Sequence, residues 1–90
     1  MTTRVSRSPR AGAEIAAYLA EHSLPAAQRF LQALERAQQL LSEFPNSGAA
    51  GLNPGTRRLI VGDYIVSYRR RDADVEIFAV RHASRRDARL

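Results

Sequence analysis

The apolar residues of this chain change period once, and that change limits the folds open to it. Up to Pro45 they recur at helical spacing, and from Arg58 onward they alternate in twos. Residues 46–55, rich in Asn, Ser, Gly and Pro, read as the loop between the two regimes. A helical half and a strand half each present one apolar face. The economical solution is to pack those faces together in two layers.

The helical half divides at Ser23-Leu24-Pro25. Ser8-Pro9 is a helix start, because Ser can cap and Pro fits a first turn whose N–H groups have no partner. A first helix is expected over residues 9–22, with Ile15, Tyr18 and Leu19 on one face and Gly12 weakening it. A second is expected over 25–44. Its apolar stripe is Ala27, Phe30, Leu31, Leu34, Ala37, Leu41 and Phe44, with Arg29, Gln32, Glu35, Arg36 and Gln39 largely opposite. So short a link makes the two an antiparallel hairpin.

Residues 58–61, 64–70 and 75–82 read as three strands, joined through Gly62-Asp63 and Asp72-Ala73-Asp74 as hairpins. Tyr64, Val66 and Tyr68 face one way; Ile65, Ser67 and Arg69 face the other. Residues 2–7, with Val5 as the one apolar residue, form a short edge strand. The expected fold is therefore α+β: two-layer β-α-α-β-β-β, an N-terminal helical hairpin packed on a mainly antiparallel sheet. Residues 1–90 make a single domain, since a chain of this length has no room for a second core.

Charge is distributed unevenly. Residues 1–45 carry five arginines against four glutamates, and 46–90 carry nine arginines against five acids, giving the formal net charge of +5. All 14 basic residues are arginine. Arginine pairs bidentately with carboxylates and phosphates, so the C-terminal half should attract an acidic protein segment or a nucleic acid. Its set is Arg57, Arg58, Arg69, Arg70, Arg71, Arg81, Arg85, Arg86 and Arg89. Edge charges that discourage aggregation account for any single member. Nine together at strand ends point to a partner-binding surface, on the sheet face that the helices leave free.

Other chemistry is sparse. No cysteine is present, which excludes disulfides and thiol catalysis. No metal cluster, Gly-rich phosphate loop or cofactor motif is legible, and no apolar run reaches the ~18 residues that span a bilayer. The arginines near the N-terminus have no apolar core behind them, so a cytoplasmic location is expected. His22 reads as a helix C-terminal residue. His82 follows Arg81 at the end of the last strand, where it could serve acid–base chemistry on a phosphodiester.

Taken in order, these residues resemble a known family. Ser8-Pro9 with Ala11 and Ile15 is similar to the opening helix of ParE/RelE toxins. Ala27, Phe30 and Leu34, then Leu41, Pro45 and Gly48, resemble their second helix and its exit. Arg58-Leu59, then the run from Gly62 to Arg69, resemble the family's signature pair of strands. The run from Val75 to His82 resembles its last strand. The resemblance implies the toxin of a type II toxin–antitoxin module, neutralised by a cognate antitoxin with a small acidic C-terminal segment.

Two branches differ in target. RelE-like members cut mRNA in the ribosomal A site; for this branch the resemblance nominates Arg58, Arg81, His82 and Arg85. Where relatives carry a catalytic Arg, this chain has Ile65, and it ends at Leu90 without their Tyr. ParE-like members poison DNA gyrase, and the departures favour that branch. Partner-binding candidates are then Arg57, Arg58, Arg69, Arg81, His82, Arg85, Arg86 and Arg89. A small basic nucleic-acid-binding module is the remaining alternative. It calls for an aromatic stacking face or a recognition helix, and Tyr64 and Tyr68 are expected in the core.

Overall fold

Ser8 opens the first helix as its sequence demands. Its side chain accepts a hydrogen bond from Ala11 N at 3.1 Å, and helix α1 runs Pro9–Glu21. Ser23 caps the second in the same way, and α2 runs Leu24–Glu43. In the computed structural model residues 3–83 are described. The strands are β1 (Val5–Arg7), β2 (Ala49–Ala50), β3 (Thr56–Val61), β4 (Tyr64–Arg71) and β5 (Asp74–His82).

The strands form one sheet in the order β1-β5-β4-β3-β2, with β1 parallel to β5 and every other pair antiparallel. The expected two-layer α+β fold is present with one addition. Residues 46–55 are more than a loop: Ala49 and Ala50 pair with Arg58 and Arg57 as an extra edge strand, and β3 starts two residues earlier than expected. Two alanines among turn residues leave no alternation to detect, which is why the pairing was not legible.

The core lies between the helices and one sheet face. Ile15, Phe30, Leu34, Ala37 and Leu41 meet Leu59, Val61, Tyr64, Val66, Tyr68, Val75 and Ile77. Leu31 and Phe44, both expected in the α2 stripe, are 39% and 59% exposed, and Ala33 is buried instead. At about 100° per residue Leu31 falls on the stripe's margin. Phe44 has left the helix as its C-cap, with φ −133° and ψ 75°, so its ring no longer follows the helical phase.

Two positions tie the loop before β3 to the sheet. Tyr68 is fully buried, and its hydroxyl accepts a hydrogen bond from Gly48 N at 2.9 Å. A Cβ on Gly48 would stand 2.7 Å from the Arg58 carbonyl and 2.9 Å from the Tyr68 ring, so only glycine fits there. Between β3 and β4, Gly62 takes φ 58° at the first of two turn positions, where hairpins favour glycine.

Leu34 is 2% exposed at the middle of the stripe, whereas the neighbouring Glu35 is exposed. Leu34→Asp should abolish folding, because burying an unpaired carboxylate costs several kcal/mol against a total of about 5–13 kcal/mol for a chain this long. Glu35→Lys should fold normally. Circular dichroism melts of the two variants test this, and equal stability would show α2 to be misphased.

Candidate functional site

The alternation of β3 and β4 sends Leu59, Val61, Tyr64, Val66 and Tyr68 toward the helices. Arg58, Ile60, Ile65, Ser67 and Arg69 therefore lie on the opposite, helix-distal face. On β5 the phase is broken. Tyr68 pairs with Ile77 but Ser67 pairs with Ala79, so Phe78 is an extra residue in the ladder. Such a bulge leaves one residue unpaired and re-aims the side chains beyond it. Val75 and Ile77 face the helices before the shift; Val80 and His82 face them after it.

Phe78 itself lies on the helix-distal face, in phase with Val75 and Ile77. The Arg69 guanidinium carbon sits 5.0 Å from its ring centroid, a cation–π contact. A shallow groove of about 110 Å³ runs beside it, lined by Gly51, Leu52, Asn53, Thr56, Arg58, Ser67 and Phe78. Leu52 and Ile60 are each 72% exposed. Arg69 and Arg71 both reach Glu76, at 3.0 and 3.5 Å, in exposed pairs that contribute little to stability. The face is thus apolar at its centre and rich in guanidinium groups.

His82 stands on the other side of the sheet. Its ring meets Tyr64 edge-on at 5.3 Å and lines a cleft of about 160 Å³ between α1 and the end of β5. Glu14, Tyr18, Glu21, His22, Phe30 and Arg81 share that cleft. Tyr18 is its hub, stacked on His22 at 3.7 Å and on Phe30 at 4.3 Å. His22 closes α1 as expected, its Nδ1 lying 2.9 Å from the Tyr18 carbonyl oxygen. The Tyr18 and Tyr64 hydroxyls are 3.0 Å apart and share one hydrogen bond. Burial, and then that bond to Tyr18, push the Tyr64 phenol up to about 12.

The expected site residues are therefore divided. Arg58 and Arg69 share the helix-distal face. Arg57 reaches the loop carbonyls of Gly48 and Asn46, at 2.7 and 3.3 Å. Arg81 pairs with Glu14 on α1. Arg85, Arg86 and Arg89 lie outside the described residues. Phe78 was missed although simple alternation from Val75 and Ile77 already places it on the helix-distal face. Glu14, Tyr18 and His22 could have been found: they sit at i, i+4 and i+8, one helix face. Among the described residues no cluster of metal-binding side chains occurs, and no helix is long and apolar enough to cross a membrane.

Residues 11–87 match the family model described as the ParE toxin of the type II toxin–antitoxin system parDE. A Sinorhizobium fredii (strain NBRC 101917 / NGR234) protein named "Putative toxin Y4kP" is 40% identical over 72 residues, 78% of this chain and 74% of that protein. Two solved structures share the fold at low identity. One is the chromosomal ParDE system from P. aeruginosa, with TM-score 0.71 and 18% identity, covering 90% of this chain and 96% of that one. The other is the archaeal RelE–RelB complex from Pyrococcus horikoshii OT3, with TM-score 0.58 and 20% identity, covering 94% and 99%.

The Tyr64 phenol gives a pH test of the cleft. Its folded value lies above the unfolded value of 10.0, so the stabilisation is complete below pH 10 and is lost as pH rises toward 12. Over that window the fold should lose stability from this group. Tyrosinate absorbance of the wild type minus that of Tyr64→Phe should show a component titrating near 12. A component near 10 would mean that Tyr64 is not held as described.

Proposed function

The chain belongs to the ParE toxin family of type II toxin–antitoxin systems, and on that premise we propose that it arrests growth by acting on DNA gyrase and is neutralised by a cognate acidic antitoxin. The observation that supports the target is the separation of Arg58, on the helix-distal face, from Arg81 and His82, which line the cleft. Attack of a 2′-hydroxyl on its phosphodiester needs a base, an acid and cations converging on one phosphate. Arg58 lies on the helix-distal face and His82 in the cleft on the other side, with the apolar Ile65 where a further cation would be required. That separation argues against the RelE-like nuclease reading.

The antitoxin reading rests on the helix-distal face. Leu52, Ile60 and Phe78 offer apolar contact, and Arg58 and Arg69 frame them with positive charge. An acidic amphipathic segment matches both features, laid in as a helix or added as a strand. Phe78 also restores an aromatic surface to the nucleic-acid-binding alternative. A lone ring already covered by Arg69 is a poor stacking platform, because such platforms use successive rings.

Two experiments test the proposal. The small acidic protein from the adjoining reading frame should co-purify with this chain and raise its melting temperature by mass action. Failure to do either removes the antitoxin assignment. For the target, the purified protein should block gyrase supercoiling and leave broken DNA while ribosome-bound message stays intact. Deleting residues 84–90 should relieve toxicity and keep the fold, since Ala83, whose N–H bonds the Asp63 carbonyl at 2.7 Å, is retained. Codon-specific cuts in A-site mRNA, lost on His82→Ala, would place the chain in the nuclease branch instead.

A further inference from the structure

Arg81 occupies a position at odds with its charge partner. In the ladder it pairs with Ile65, and its neighbours Val80 and His82 both turn toward the helices. By alternation its Cβ belongs to the helix-distal face, with Ile65 and Arg58. Its guanidinium instead goes to the Glu14 carboxylate on α1. It has the room to do so, because β1 accompanies β5 only at Val75, Glu76 and Ile77.

The pair is a poor stabiliser. Both side chains are partly buried, 28% and 22% exposed, so both have lost part of their hydration. Attraction between buried charges repays that loss only when the remaining lone pairs are also satisfied. Glu14 Oε1 is buried with no hydrogen-bond partner among the described residues. A half-satisfied buried carboxylate on a guanidinium is a contact that another carboxylate can replace at low cost.

Resting on the functional reading above, we infer that Glu14 is a placeholder for a carboxylate of the bound antitoxin. In the free toxin Glu14 holds Arg81 against α1. On docking, an acidic side chain of the partner takes over the guanidinium on the helix-distal face, where Arg81 joins Arg58 and Arg69 around the apolar centre. The occupant is an acidic side chain, because the chain it approaches carries a net charge of +5 and the contact it replaces is itself a carboxylate.

Titration calorimetry with the co-purified acidic protein separates this from general charge steering. Glu14→Gln and Glu21→Gln raise the net charge equally and both line the cleft, but of the two it is Glu14 whose carboxylate pairs with Arg81. Glu14→Gln keeps the size and an oxygen for Arg81, and should tighten binding by roughly 3- to 10-fold, as expected when a competent state that is a minor fraction becomes dominant. Glu21→Gln should change it little. Arg81→Gln should weaken binding by at least about tenfold, and Glu14→Gln added to it should have no further effect. Thermal melts check that each variant folds. Equal tightening by both glutamate variants, or tightening that survives Arg81→Gln, overturns the inference while leaving the antitoxin assignment intact. Absence of binding by the wild type would overturn both.

Discussion

Between Ile77 and Ala79 the last strand carries one residue more than its neighbour, and the division of labour between the sheet's two faces follows from that residue. Without the shift, Phe78 would keep the phase set by Val75 and Ile77 and sit beside Arg69 as an ordinary alternating residue, but every position after it would be reversed. Val80 would leave the core, and Arg58 and His82 would then share a face. The bulge takes His82 to the Tyr64 ring instead. It thus completes an aromatic cluster on that side of the sheet.

That arrangement depends on the sheet being held from beneath. Tyr68 sits at its centre, fully buried, with a hydroxyl that needs a partner once water is excluded. Gly48 N–H supplies it, and Arg57 takes the Gly48 carbonyl, so the loop leaving α2 is fastened through both of its backbone groups. Leaving that N–H without an acceptor would cost about 1–3 kcal/mol. An arginine whose sequence position suggested partner binding is thus occupied with a carbonyl of its own chain.

The helices, the three long strands and the core face of β4 were legible because each has many residues in one phase. Ser8-Pro9, Ser23 and Gly62-Asp63 added local turn and cap chemistry that agreed with the periods. What escaped the sequence was short or phase-breaking. Ala49 and Ala50 are too few and too small to show alternation, and the bulge at Phe78 changes geometry without changing composition. The face each candidate arginine occupies was less legible than the fold for the same reason. An arginine on a strand is assigned a face by counting, and counting fails past a bulge. It also ignores how far a long side chain reaches, as Arg81 does to Glu14.

A domain of this size leaves itself little stability, and its surface chemistry has to be read against that margin. With about 5–13 kcal/mol in total, the fold gains little from exposed pairs such as Arg69–Glu76, and a partly buried, half-satisfied pair such as Glu14–Arg81 contributes little more. A partner present at a thousand times its dissociation constant adds about 4 kcal/mol, comparable with a large part of the whole margin. Groups that do not stabilise the free chain can therefore persist if they strengthen the complex. The guanidinium-framed apolar face is such a feature. On the antitoxin reading proposed above, that face gains from being covered, and its apolar centre and guanidinium frame would stabilise the complex rather than the free chain.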